Sequence, residues 1–516
     1  MRPELPVGAR LQFFEKAWDI LPADLYVRQI LHVGHTLPFH TPLRAFQGIV
    51  STSMVVGHRS EVLLEEVHSL LRKNAIELVP RGQERQGWYG HYFLVPKKTG
   101  DLRPILNLKP LNKKLVVDTF TMETLRQVIV AVSPGEWLAA IDLKDAYFHV
   151  PIHPSHKKFL RFAINGQCYQ YRVIPFGLAT SPRVFTKVLA PVMAHIRLRG
   201  VHIHPYLDDL LVRAESPELL QESLNIALDV LLQSGYMINV KKSQLIPTQD
   251  LRYIGGQINT AIGRVSLPKD RREVLTKLAA SFKVGQYKTA RTWLQLLGFM
   301  ASTILVVRMA RMRMRPIQLF VLSKWTYPQD LFRTLIMVPR FLLVHIQWWA
   351  NPDNLSQGFP LSPPNVDHVL TTDSSGDGWG AVLDDQFTTQ GMWSAQTRLL
   401  HINSLELMAV DMALKHFVHR LHHSVVLVRS DNISTCAYIA KEGGTVCPRL
   451  CIQTFHLLQW CQSQHILLRT AYIPGQENIH ADRLSRYREM DTNLGYTLDN
   501  REWSLNIDVV LSLIHI

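Results

Sequence analysis

Two sets of carboxylates stand out in this chain by their spacing and their apolar surroundings. Asp142 lies in Ala-Ala-Ile-Asp-Leu-Lys-Asp-Ala-Tyr-Phe, and Asp208 and Asp209 lie in Tyr-Leu-Asp-Asp between two apolar stretches. Adjacent ionised carboxylates repel, and a bound divalent cation cancels that repulsion and fixes the geometry. Three aspartates on neighbouring strands suit a pair of metal ions serving in-line phosphoryl chemistry. The second set is Asp373, Glu406, Asp431 and Asp482, beyond the Pro-rich stretch Phe359-Pro-Leu-Ser-Pro-Pro-Asn, which reads as a linker. Asp373 and Asp431 end apolar β-type runs. Glu406 and Asp482 fall on helical segments, with Asn403 or Ser404 expected to cap the helix that carries Glu406.

The elements that must hold these acids follow from pattern. Tyr206 to Val212 reads as strand, tight turn, strand. Neighbouring side chains on a strand point to opposite faces, so Asp208 is expected to share a face with Asp142 while Asp209 points elsewhere or meets the site obliquely. Val62, Leu63, Val67, Leu70 and Leu71 predict a helix over 61–74 that stops at Asn74. Two apolar runs around Lys97-Lys-Thr-Gly-Asp predict a hairpin with a basic tip. Ser216, Pro217 and Glu218 start a helix that Gly235 ends. Further helices are expected over 269–282 and 289–307, followed by Arg308, Arg311, Arg313 and Arg315 interleaved with methionines. Residues 1–60 lack a sustained period and read as a loosely structured extension packed on the domain after it.

At 516 residues the chain exceeds one core and suggests three or four domains. A 47% hydrophobic content with moderate charge indicates a globular protein rather than a disordered one. The sequence shows no uncharged apolar run long enough to span a membrane, and the N-terminus lacks a signal-peptide core, which points to the cytosol or nucleus. Five cysteines argue against a disulfide framework. Cys447, Cys451, His456 and Cys461 follow amphipathic helical spacing and are read as core packing rather than a zinc site. The net charge of +14 favours a polyanionic partner.

Taken together, Asp-Leu-Lys-Asp-Ala-Tyr-Phe, Tyr-Leu-Asp-Asp and Ala-Asp-Arg-Leu-Ser-Arg resemble reverse transcriptases joined to ribonuclease H, as in long-repeat retrotransposons. Thr-Asp-Ser-Ser-Gly-Asp-Gly-Trp-Gly-Ala looks most like the DIRS type. The resemblance implies an α+β and α/β multidomain protein. A right-hand polymerase with fingers, ferredoxin-like palm and helical thumb would precede a ribonuclease H-like mixed α/β domain. The implied boundaries are an N-terminal extension at 1–60, fingers and palm at 61–260, thumb at 261–320, connection at 321–365, ribonuclease H at 366–486 and a tail at 487–516. That type carries a tyrosine recombinase downstream; none is evident here, nor an aspartic protease motif ahead, so the chain is expected to be a fragment of a larger element.

The resemblance also assigns roles. Asp142 and Asp208, supported by Asp209, would hold two Mg²⁺ ions, with Mn²⁺ as an alternative; Asp373, Glu406, Asp431 and Asp482 would hold another two. Lys97, Lys98 and Arg103 would grip the incoming triphosphate, together with the backbone at Asp145 and Ala146. Tyr147 would be the steric gate against a ribose 2′-hydroxyl, and Lys242 the general acid toward pyrophosphate. Phe176 stands where retroviral enzymes carry Gln. Tyr253 and Gly255 fall in the counterpart of the primer grip, and Arg308, Arg311, Arg313 and Arg315 would track phosphates. Relatives place a His in the loop before the last ribonuclease H aspartate, where this chain has Ala-Tyr-Ile-Pro-Gly-Gln-Glu-Asn. The implied activity is RNA-directed DNA synthesis with cleavage of the copied RNA. Its partners are an RNA template, DNA primer, RNA–DNA hybrid and dNTPs, with no membrane. The alternative is a catalytically inactive retroelement-derived protein that binds nucleic acid.

Overall fold

A computed structural model of the chain describes residues 5–43, 46–52, 57–96, 102–326 and 329–486. They fall into two units, Met1–Arg264 and Val265–Ile516. Among the described residues no helix is long and apolar enough to cross a membrane.

The first unit opens with α1 (Leu25–Val33) and α2 (His58–Arg72), and Asn74 in the left-handed region (φ 56°) closes the second of these as expected. The antiparallel pair β1 (Tyr92–Pro96) and β2 (Leu102–Leu106) forms the expected hairpin; its tip, with Lys97 and Lys98, lies outside the described residues. Around the acids, beside a separate five-stranded sheet, lie β3 (Trp137–Asp142), α3 (Ser181–Leu198), β4 (His202–Tyr206), β5 (Asp209–Ala214), α4 (Pro217–Gln233), β6 (Gln244–Thr248) and a hairpin of β7 (Asp250–Tyr253) and β8 (Gly256–Asn259). Strands β6, β3, β5 and β4 make one antiparallel sheet in that order.

Local chemistry accounts for α4. The Ser216 side chain accepts from Leu219 N at 3.2 Å, Pro217 sits where no intrahelical donor is needed, and Gly235 at φ 95° ends the run. Leu220, Leu224, Ala227 and Leu231 are buried, at about 1.5–3 kcal/mol for each leucine. Residues before 60 pack more tightly than the sequence suggests. Leu11 and Trp18 are buried, Trp18 Nε1 donates to Ser234 O at 3.1 Å, and Arg10 Nε donates to Gly235 O at 3.0 Å. In α1, capped by Asp24, Val27, Ile30 and Leu31 have helical spacing that the surrounding Pro and His residues obscured.

The second unit begins with α5 (Lys269–Ala280), α6 (Ala290–Ala301), α7 (Ala310–Lys324) and α8 (Leu343–Ala350). Helix α6 starts at its Thr289 cap as expected but stops at Ala301 rather than 307, and Met309 at φ 60° precedes α7. Then comes a five-stranded sheet in the order β11-β10-β9-β12-β13. Its strands are β9 (His368–Ser374), β10 (Gly378–Leu383), β11 (Phe387–Met392), β12 (Val425–Ser430) and β13 (Leu467–Tyr472). The β9–β12 and β12–β13 pairs are parallel, and the other two antiparallel. Helices α9 (Ile402–His416), α10 (Pro448–Ser463) and α11 (Ile479–Ser485) accompany it. A side chain at Gly380 would meet Leu484 Cβ at 2.4 Å, so glycine there admits α11 onto β10. Cys451 and Cys461 are buried on α10, and all five cysteines are free.

Candidate active sites

In the first unit Asp209 is the direct cross-strand partner of Asp142, and Tyr206 pairs with Asp209 on the other side. Leu207 and Asp208 therefore form a two-residue turn, with Leu207 at φ 55°. Directly opposed antiparallel residues project to one face. The sequence reading put Asp208 on the face of Asp142; the register puts Asp209 there. The turn consumes Asp208 and shifts the parity of the alternation. Asp208 still reaches the site: its carbonyl accepts from Leu143 N at 2.8 Å, and its carboxyl is raised by burial and by the Asp142 charge, with Lys242 opposing. Burial, then Asp208 and Asp142, push the Asp209 carboxyl up to about 6. Three mutually repelling carboxylates beside one exposed lysine are a donor set that cations would satisfy. A cleft of about 580 Å³ is lined by Asp142, Asp209, Lys242, Asp250, Tyr253 and Gly255, among others.

Downstream of Asp142 the chain turns sharply. Asp145 is left-handed (φ 49°), with its carboxylate on Lys73 Nζ at 2.9 Å. Ala146–His149 is a 3₁₀ turn whose Ala146 is buried. The Tyr147 ring lies 4.8 Å from Phe176 and 5.7 Å from Phe185, and its hydroxyl is pushed up to about 12 by burial and by Asp208. Phe176 is half exposed, so an apolar face meets solvent beside Tyr147. His149 is a buried residue that the sequence reading missed. Burial pushes its pKa down to about 4, against the Ala146 hydrogen bond; one ring nitrogen meets Ala146 O at 3.0 Å and the other accepts from Met237 N at 3.0 Å. Arg103 is exposed on β2.

Two side chains expected to contact nucleic acid are buried. Tyr253 is buried, with its hydroxyl 2.6 Å from His204 O and 3.2 Å from Asp209 O, while the Ile254–Gly255 turn of that hairpin (φ 43° and 78°) is partly exposed and Arg252 is exposed. Arg313 is buried between the rings of Trp348 and Phe455, at 5.6 and 5.3 Å. Arg308 is exposed, while Arg311 and Arg315 are partly buried and Arg315 donates to Gln318 at 2.8 Å. Alternate residues of a helix diverge by about 200°, so Arg311, Arg313 and Arg315 cannot share one solvent face.

In the second unit, Asp373, Glu406 and Asp431 bring carboxylate oxygens within 4.8 Å of one another, the one such group among the described residues. Asp373 sits in β9, Asp431 just after β12, and Glu406 in the first turns of α9. That helix is capped by His401, which accepts from Asn403 N at 3.2 Å, rather than by Asn403 or Ser404; Asn403 instead accepts from Asn432 at 2.9 Å. Asp373 and Glu406 are 5% and 4% exposed. Burial raises the Asp373 carboxyl to about 6, against the Ser485 hydrogen bond, with Asp431 and Asp482 adding to the rise. Burial, then Asp373 and Asp431, raise Glu406 to about 9. Glu406 Oε2 is buried without a hydrogen-bond partner, an orphaned acceptor in a basin of negative charge, which fits a bound cation. Asp482, on α11, lies outside the tight trio and pairs with Arg486 at 2.6 Å. Asn478 and Ser485 went unread in the sequence: both hydrogen-bond the Asp373 carboxylate, at 3.3 and 2.6 Å. Their signal was positional, since 478, 482 and 485 have the spacing of one helix face.

Comparison with known proteins gives a coarser likeness for the chain. Residues 95–258 match the family model for reverse transcriptase (RNA-dependent DNA polymerase). The chain is 24% identical over 418 residues to the Transposon Tf2-3 and Tf2-4 polyproteins of Schizosaccharomyces pombe (strain 972 / ATCC 24843), covering 76% of this chain and 28% of each relative. Residues 95–258 are thus similar to reverse transcriptases, the chain as a whole is similar to Tf2-like LTR retrotransposon polyproteins, and it spans about 28% of the length of those relatives. Among solved structures it is similar to the foamy viral protease-reverse transcriptase. The complex with ds DNA gives a TM-score of 0.53 at 15% identity, covering 89% of this chain and 81% of that one. The complex with an RNA/DNA hybrid gives 0.52 at 13% identity, covering 96% and 66%. This is a likeness of mixed α/β multidomain fold.

Proposed function

We propose that the chain extends a primer with dNTPs on an RNA template and cleaves the RNA of the resulting hybrid, as part of retrotransposon replication. The observation that carries this reading is the cross-strand pair Asp142–Asp209 with Asp208 in the adjoining turn, beside Lys242. The second activity is supported by the trio of Asp373, Glu406 and Asp431, the first two of them buried. Mg²⁺, or Mn²⁺ in its place, held in pairs by Asp142, Asp208 and Asp209 and by the trio with Asp482, would acidify the attacking hydroxyl or water and neutralise the leaving group.

The remaining chemistry belongs to side chains. Lys242 lines the cleft with Asp142 and Asp209 and would hand a proton to the departing pyrophosphate. Tyr147, held by Phe176 and Phe185, would exclude a ribose 2′-hydroxyl from a dNTP site, while Arg103 with Lys97 and Lys98 would grip the triphosphate over the Asp145–Ala146 backbone. Arg308 and the Ile254–Gly255 turn remain the candidate duplex contacts. In this reading residues 61–260 are fingers and palm, 261–320 thumb, 321–365 connection and 366–486 the ribonuclease H-like domain. DIRS type, suggested by the run at 372–381, and residence in the cytosol or nucleus complete it.

Primer extension on poly(rA) with Mg²⁺ tests the first activity: incorporation is expected from the native chain and its loss from Asp208→Ala, and equal incorporation by both ends the polymerase reading. Cleavage of a labelled RNA–DNA hybrid, abolished in Asp431→Asn, tests the second. Hybrid binding without either reaction would identify an inactive nucleic-acid-binding relative.

A further inference from the structure

Two hydroxyl groups hold the backbone of the first carboxylate pair from opposite sides. Asp142 ends β3, and the strand beside it, β6, starts only at Gln244 with an irregular register. In place of a regular ladder, the Asp142 amide donates to Ser243 Oγ at 2.9 Å. Ser243 Oγ in turn donates to Asn239 O at 2.8 Å, and the Asn239 amide donates to Asp142 O at 2.8 Å, closing a ring of bonds. Ser243 directly follows Lys242, so the same ring anchors the lysine's backbone. On the partner strand, the buried Tyr253 reaches in from β7. Its single hydroxyl proton is shared between His204 O at 2.6 Å and Asp209 O at 3.2 Å.

Neither hydroxyl presents a free group to the cleft, yet each bonds the main chain of one member of the Asp142–Asp209 pair. We propose that Ser243 and Tyr253 are positioning residues that fix how far the Asp142 and Asp209 carboxylates project toward the cations and the primer terminus. The inference rests on the polymerase reading of this site. It gives Tyr253 a task other than touching primer, and gives a role to a serine to which the sequence reading assigned none. Reacting groups tolerate displacements of only a few tenths of an ångström before rate is lost, so removing either tether acts on kcat and on the grip on cations rather than on dNTP or primer binding.

The test compares Tyr253→Phe and Ser243→Ala with the native chain. Each keeps the bulk of its side chain, and thermal melting verifies folding. Three quantities are read: single-nucleotide incorporation kinetics, primer–template affinity, and Mn²⁺ affinity from water-proton relaxation. The expected result is a fall in kcat of about 10- to 100-fold, with weaker Mn²⁺ binding and with dNTP KM and primer affinity within about threefold. Ser243→Thr, which restores a hydroxyl, recovers most of the loss. Unchanged kcat and Mn²⁺ affinity in both variants overturn the proposal, as does loss of primer affinity at constant kcat, which would make Tyr253 part of a grip. If one variant fails to fold, the other decides. If the native chain binds Mn²⁺ through Asp142 but incorporates nothing, the polymerase reading fails while the Mn²⁺ affinities still judge the tethers.

Discussion

Replacing Glu406 by Gln should stabilise the metal-free protein at alkaline pH while ending the proposed hybrid cleavage. Burial, then the charges of Asp373 and Asp431, raise this carboxyl from 4.5 to about 9. The folded protein therefore keeps a proton that the unfolded chain releases. Stability is greatest below about pH 4.5 and drains away as pH climbs toward about 9. Each pH unit across that window costs up to about 1.4 kcal/mol, which bounds the whole effect near 6 kcal/mol. Relaxation and water entry reduce the penalty, and about 2 kcal/mol is the working expectation. In a unit of this size about 2 kcal/mol corresponds to roughly 4–8 °C in Tm. The Gln amide can donate to Asp373 or Asp431, whose oxygens lie within 4.8 Å of those of Glu406, so the buried position is filled by a neutral donor. Calorimetry of the full chain in EDTA, near pH 5 and about pH 8.5, reads the difference. Glu406→Gln should match the native chain at the acid end and exceed it at the alkaline end. Added Mg²⁺ should narrow the gap by stabilising the native chain more, because cation binding displaces the proton. An advantage of equal size at both pH values, or none at either, would refute the account of Glu406 as a charge held against its neighbours.

Asp209→Asn should reduce incorporation by at least about 100-fold while leaving hybrid cleavage intact, measured on the same preparation. Tyr147→Ala should lower discrimination against ribonucleotides by at least about tenfold, read from the ratio of kcat/KM values for rNTP and dNTP. Arg313→Ala should destabilise the second unit by about 2 kcal/mol, since a desolvated cation leaves two rings, yet leave the salt dependence of duplex binding unchanged. Arg308→Ala should instead reduce the salt slope by about 0.9 on B-form DNA without altering Tm.

Much of the framework was legible because local signals agreed with tertiary needs. Ser216, Pro217 and Gly235 marked both ends of α4, and the apolar runs around residues 97–101 marked the β1–β2 hairpin. The acidic positions were legible because like charges set into apolar strands demand an explanation. Which aspartate faces Asp142 was not, because one residue of turn length reverses every face, and Leu207 is not a residue that advertises a left-handed turn. The arginines around α7 illustrate a second limit. Composition shows a basic run, but only packing shows that Arg313 points inward between Trp348 and Phe455. Asn478 and Ser485 went unread because their meaning depends on Asp373, more than a hundred residues away in sequence and met only after α11 docks over Gly380.

The bonds from Trp18 and Arg10 to the carbonyls of Ser234 and Gly235 bear on how the first unit could be isolated. Cutting the gene at the first recognisable motif, near residue 60, would strip the stopper from the end of α4 and open an oily socket where Leu11 and Trp18 now sit. Such a fragment should come out of cells insoluble, whereas one that retains the opening stretch should not. The smallest piece able to stand alone is thus set by packing that involves none of the acids themselves, even though the Ala9 amide also bonds Phe148 O at 2.8 Å in the turn that follows Asp142.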